Sequence, residues 1–212
     1  MLTELRERVL KTSQELYRLQ MARGTSGNVS ARDPESGLIA ITPSGIPYEV
    51  LTTEDITIVN QHGKVVYGGQ IPSSETPMHT AVYRLRPNIH GIVHTHSLYA
   101  TVFSVLNKEL PVVTVPLAMF GPVPVAGFRL PGSQELADEV ARCLGSRRKS
   151  VLLQNHGALC ADDTVEKALN CAIYIEEGSH VAYLALLAGG LNPIPHKYVA
   201  MMQDVSGKGR VL

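Results

Sequence analysis

The chain has 212 residues, of which 44% are hydrophobic and 18% charged, and its 19 basic and 19 acidic side chains cancel. This composition supports a sizeable core and excludes wholesale disorder. The neutral balance supplies neither a basic field for nucleic acid nor an acidic tail for a basic partner. Three cysteines (Cys143, Cys160, Cys171), odd in number and without a CxxC spacing, argue against a disulfide framework or a cysteine-rich zinc knuckle.

No apolar h-region follows Met1, and no window approaches the ~18 apolar residues of a membrane span, so no membrane association and a cytoplasmic compartment are expected. Residues 3–22 carry Leu5, Val9, Leu16 and Leu19 at a helical period that ends before Gly24. GTSGN (24–28) is a turn cluster. Strand-like runs follow at 29–32, 38–42, 56–60 and 64–68, and His62-Gly63 joins the last two as a hairpin. Pro72-Ser73-Ser74 opens a helix to about Arg86. GIVHTH (91–96) reads as a buried strand, 99–106 as a helix, and PVVTV (111–115) and PVPVAG (122–127) as two short strands. Ser133 caps a helix over 133–144, SVLLQ (150–154) is an apolar strand, and a long helix over 163–188 stops at Gly189-Gly190. Residues 191–212, broken by Pro and Gly, read as a C-terminal tail behind a single mixed α/β domain of residues 1–190.

His94 and His96 stand two apart in the 91–96 run, so on a strand both imidazoles face one side. His156 follows the 150–154 strand at a turn sharpened by Asn155 and Gly157. Three imidazoles from neighbouring strand ends would leave a coordination position open, the pattern of a catalytic site, and imidazole suits zinc among several divalent ions. His62, His90, His180 and His196 read as ordinary surface or hydrogen-bonded residues, with Glu176–His180 a solvated pair on the long helix. His79, four after Glu75, supports the site from behind or simply packs.

Glu75 lies at a helix start, where a carboxylate is favoured electrostatically. Ser73 and Ser74 bring hydroxyls and backbone N–H groups to the same point, an anion-binding arrangement. GTSGNVS offers Gly27 and Asn28, and TPSG (42–45) offers Ser44 and Gly45. Neither matches the Walker A or dinucleotide fingerprint, and together they suit a phosphate held by neutral donors.

Taken in order, GTSGNVS, ITPSGIPYE, PSSE, IVHTHS and LLQNHG resemble the class II aldolase/adducin-head family over roughly residues 5–188, most nearly its fuculose-phosphate aldolases. The resemblance implies a three-layer α/β/α fold with a mostly antiparallel or mixed central sheet. It implies Zn2+ on His94, His96 and His156, with Glu75 able to ligate the resting metal and then act as acid/base. It implies phosphate contacts from Gly27-Asn28, Ser44-Gly45 and Ser73-Ser74, and a homotetramer with active sites at subunit interfaces. The implied reaction is reversible cleavage of a ketose 1-phosphate of the L-fuculose 1-phosphate kind to dihydroxyacetone phosphate and an aldehyde.

Two departures bear on the aldehyde half. Val115 stands near the place of the aldolases' tyrosine, and GFRLPGSQEL lacks their aromatic-Gly-Thr pattern. Tyr48, Tyr99, Tyr198 and His196 are the candidate proton donors, the last two from a segment that a neighbouring subunit could supply. Pentulose-phosphate epimerases use an aspartate downstream of the second histidine, and no Asp occurs from Thr95 to Pro131. Methylthioribulose-phosphate dehydratases, sugar-acid phosphate decarboxylases and a non-catalytic adducin-head interaction module are the other readings. A Schiff-base aldolase would need a buried lysine, and the motif loops hold none.

Overall fold

A first helix, α1 (Thr3–Arg18), places Glu4 in its first turn and Arg18 in its last, and buries Leu5, Val9 and Leu16 along one stripe. It ends where Gln20 takes positive φ and Met21 N–H donates to Leu16 O, which turns the chain toward the sheet. The structure is a computed structural model that describes residues 1–207.

Eight strands follow: β1 (Asn28–Arg32), β2 (Ile39–Ile41), β3 (Thr57–Val59), β4 (Val65–Tyr67), β5 (Gly91–Thr95), β6 (Val125–Ala126), β7 (Ser150–Leu153) and β8 (Gly157–Asp162). They form one sheet in the order β4-β3-β2-β1-β5-β8-β7-β6. Every pairing is antiparallel except β6 with β7, so the sheet is mixed, as expected. The helices are α2 (Thr76–Leu85), α3 (Leu98–Leu106), α4 (Val115–Ala118), α5 (Gln134–Leu144), α6 (Val165–Leu187) and α7 (His196–Gly207).

Side-chain alternation sorts two cores onto the two faces. Val29, Val93, Leu152 and Cys160 pack beneath α1, α3 and α6. Ile41, Ile92, Val151 and Leu159 pack beneath α2 and α5. Each fully buried Ile or Leu is worth roughly 1.5–3 kcal/mol relative to exposure. This is the three-layer α/β/α arrangement. Since Ile92 faces α2, so does His94, two residues on.

Several expectations need correction. PVVTV is not a strand: Pro111 and Pro116 lack N–H groups, and Thr114 caps α4 by accepting from Leu117 N–H. PVPVAG contributes only the two residues of β6. β8 was not anticipated, because Gly157, Ala158 and Cys160 give little strand signal. The C-terminal stretch holds α7, whose Val199 is buried with Val112 and Ala118. Glu176 and His180 are no solvated pair: Glu176 accepts from the Tyr99 and Ala100 N–H groups at the start of α3, and His180 stacks on Tyr99 at 3.8 Å. The three cysteines are free and buried. Among the described residues no helix is long and apolar enough to cross a membrane.

Candidate metal centre and anion cleft

Three adjacent strands build the centre. Asn28 on β1 is the register partner of His94 on β5, and His94 is the partner of Leu159 on β8. β5 ends at Thr95, and His96 lies just past it with its N–H donated to Met21 O. His156 sits in the β7–β8 turn, where Asn155 adopts φ 58° and His156 N–H closes on Leu153 O. A Cβ on Gly157 would stand 2.1 Å from Thr95 O, so only glycine lets β8 close on β5 here.

The three imidazoles converge, with ring centroids 4.8–4.9 Å apart. Their nitrogens form a group with metal-ligand geometry. His94 Nε2 lies 3.0 Å from His96 Nε2, near the ~3.4 Å edge of a tetrahedron drawn around a zinc ion. Glu75, immediately before α2, brings Oε2 to 2.9 Å from His94 Nε2 and Oε1 to 3.5 Å from His156 Nε2.

His94 Nδ1 is 2.9 Å from Ala158 O, a contact that requires the Nδ1–H tautomer and leaves Nε2 as a lone pair. Glu75 Oε1 and His156 Nδ1 are buried without hydrogen-bond partners. Lone pairs on Glu75 and His94 thus face each other at contact distance, with His96 Nε2 beside them, and the donor set fits a divalent cation. Burial raises the Glu75 carboxyl, but the adjacent His94 and His156 imidazoles and the hydrogen bond from Asn28 outweigh it and hold the group well below the usual range. Burial, with His94 and His156 nearby, pushes His96 down to about 3, and His156 is lowered for the same chief reason. Both imidazoles therefore stay neutral, as ligands must be.

Behind Glu75 runs a buried chain of polar groups. Asn28 Nδ2 donates to Glu75 Oε2 at 3.2 Å, and Asn28 Oδ1 lies 2.5 Å from His79 Nε2. His79 Nδ1 is 2.6 Å from Ser30 Oγ, which is 2.9 Å from the Tyr83 hydroxyl. Burial, with His94 nearby, lowers His79 to about 3. Ser30 and Tyr83 were not singled out in the sequence.

The centre opens into a cleft of about 300 Å³ whose wall includes Gly27, Asn28, Ser44, Ser73 and Ser74 together with Glu75, His96 and His156. Gly45 is adjacent, at φ 74°. Ser44 spends its N–H on Ile71 O, so its contribution to the cleft is the hydroxyl. The Asn28 carboxamide is engaged by His79 and Glu75. Pro131 closes one side, and its neighbour Gly132 packs against Ser74 O. Three larger clefts, of 500, 570 and 730 Å³, contain no comparable group of ligands among the described residues. Of the candidate proton donors, Tyr48 is buried with its hydroxyl donated to Gly27 O, where it braces the 24–28 loop. Tyr99 is stacked on His180, and Tyr198 and His196 lie on α7, away from the cleft wall.

A mixed sheet between helix layers, with three imidazoles and a carboxylate over a serine-lined cleft, defines a metal-dependent lyase of the class II aldolase type. The chain belongs to the class II aldolase and adducin N-terminal domain family, which residues 7–183 match. It is 38% identical over 194 residues to the L-fuculose phosphate aldolase of Escherichia coli strain K12, covering 91% of this chain and 87% of that one. It is 37% identical over 184 residues to the 5-deoxy-D-ribulose 1-phosphate aldolase of Bacillus thuringiensis serovar kurstaki, covering 86% of each. A solved L-fuculose 1-phosphate aldolase superposes with a TM-score of 0.92 at 33% identity over 96% of each chain.

Proposed function

We propose that this protein is a zinc-dependent aldolase that reversibly cleaves a ketose 1-phosphate of the L-fuculose 1-phosphate kind to dihydroxyacetone phosphate and an aldehyde. The observation that carries the reading is the convergence of Glu75 with His94, His96 and His156 beside a serine-lined cleft. His94, His96 and His156 would hold the ion, with Glu75 near enough to join them. When bound, zinc supplies Lewis-acid stabilisation of the negative charge that develops on substrate oxygens.

The Ser44, Ser73 and Ser74 hydroxyls and the backbone at Gly27-Asn28 and Gly45 grip the phosphate, which sets the reacting carbon against Glu75. As the carbon–carbon bond breaks, the hydroxyl that becomes the aldehyde oxygen loses its proton, and Glu75 would return a proton to the carbon left electron-rich; in the condensation direction Glu75 would remove it and the new hydroxyl would regain one. The relatives' names support a phosphorylated deoxyketose as substrate. The apolar Pro131 on the cleft wall supports a small, weakly polar aldehyde half.

The catalytic domain is residues 1–190, with 191–212 as an appended C-terminal segment. A homotetramer with active sites at subunit interfaces is supported by exposed Leu98, Val105, Val181, Leu184 and Leu187 on α3 and α6. Three free buried thiols suit a reducing, cytoplasmic compartment. The deciding experiment is product analysis by NMR for zinc-loaded protein against a panel of phosphorylated pentuloses, hexuloses and deoxyketoses. Release of dihydroxyacetone phosphate is the expected result. Chelator-treated, metal-free protein with full activity would overturn the reading.

A further inference from the structure

Asn28 Nδ2 donates to Glu75 Oε2 at 3.2 Å, so the nitrogen end of the carboxamide is turned toward the carboxylate. That fixes the next step. Asn28 Oδ1 then faces His79 Nε2 at 2.5 Å, and Nε2 must carry a proton. His79 Nδ1 is then free to accept from Ser30 Oγ, and the Tyr83 hydroxyl, 2.9 Å from Ser30 Oγ and 3.1 Å from Ser30 O, closes the row with its one proton. His79 is fully buried and Asn28 is 4% exposed, so water does not compete for these bonds. A carboxamide alone has no preference between its two ends. The carboxylate selects the nitrogen end, and a donor at the oxygen end holds the amide plane so that the nitrogen stays on Glu75.

We propose that His79 is a positioning residue: its Nε2–H locks the Asn28 carboxamide with the nitrogen toward Glu75, and thereby holds the Glu75 carboxylate in place for proton transfer. The proposal rests on Glu75 being the acid/base of the aldolase reading. Asn28 accordingly serves the carboxylate with its side chain and the phosphate with its backbone. Ser30 and Tyr83 hold the His79 ring from behind and touch no substrate.

Nitrogen-15 NMR of metal-free wild-type protein at neutral pH tests the lock without any substrate. A protonated His79 Nε2 is the expected result, and an unprotonated Nε2 overturns the proposal. In the zinc-loaded enzyme, His79→Leu is expected to keep zinc content and KM within about threefold while lowering kcat ~10-fold. His79→Gln, whose Nε2 sits near the position of the imidazole Nε2, is expected to recover most of that loss. A Gln variant no better than Leu counts against the lock. His79→Leu combined with Asn28→Ala is expected to be no slower than the slower single variant, and additive losses overturn the coupling. If the variants do not fold, the wild-type spectrum still decides. If no sugar phosphate is turned over, the aldolase reading falls while the spectrum still reports the lock.

Discussion

Glu75 Oε2 lies 2.9 Å from His94 Nε2, and the ring is oriented by Nδ1–H donation to Ala158 O. An acceptor thus faces an acceptor, an arrangement stable only with a cation or proton between them. His94→Ala is expected to weaken zinc binding at least ~100-fold, more than the loss of a group that merely supports a ligand. Elemental analysis after dialysis against buffered zinc checks this. Unchanged occupancy would move the ion elsewhere.

Glu75→Gln keeps the shape of the side chain and removes its charge and basicity. With three imidazoles remaining, zinc should stay bound, while kcat is expected to fall ~10²-fold or more because proton transfer is lost. Steady-state kinetics beside metal content separates the two effects. Turnover equal to the wild type would remove Glu75 from the acid/base role.

The buried histidines impose a pH dependence on the metal-free protein. His79 and His96 are each lowered to about 3 in the folded state from an ordinary value of 6.5. Above 6.5 neither state binds these protons. Between 6.5 and 3 the unfolded chain binds them and the folded chain does not, so stability falls as the pH falls through that window. The slope approaches ~1.4 kcal/mol per pH unit for each histidine, with part-exposed His96 giving less than His79. Urea midpoints from pH 7.5 to 4.5 should decline accordingly, and a flat profile would show that the histidines titrate normally in the fold.

Much of this centre was legible because its parts are local. His94 and His96 share a strand face by spacing, Asn155-His156-Gly157 marks a turn, and Ser73, Ser74 and Glu75 crowd one helix start. The polar chain behind Glu75 had a signal too: Glu75, His79 and Tyr83 recur at four-residue intervals on one helical face, and Asn28 and Ser30 share one strand face. What could not be read was that the two faces touch, since β1 and α2 meet only in the packed sheet. β8 and α7 were missed for the same reason. Ala158 and Cys160 become strand residues through pairing with β5 and β7, and Val199 holds α7 by packing near Val112 and Ala118. Glu176 at the start of α3 is a cap supplied from 76 residues away, beyond any local pattern.

Gly157 tests how tightly the fold and the centre are joined. A Cβ there would lie 2.1 Å from Thr95 O and 3.5 Å from His94 Cε1. The obstructing atom is backbone, so no rotamer change relieves it, and β5 and β8 must separate. Thr95 pairs with Ala158 and His94 with Leu159 across that seam, so separation also draws His94 from His156. Gly157→Ala is expected to cost ~3 kcal/mol or more in urea unfolding and to lower zinc affinity with it. Gly69→Ala, at a site with open space and no left-handed φ, should stay within ~0.5 kcal/mol and bind zinc normally. If Gly157→Ala lost stability yet kept full zinc affinity, the centre would tolerate displacement of the strands that carry it, and its placement could not depend on the close approach of β8 to β5.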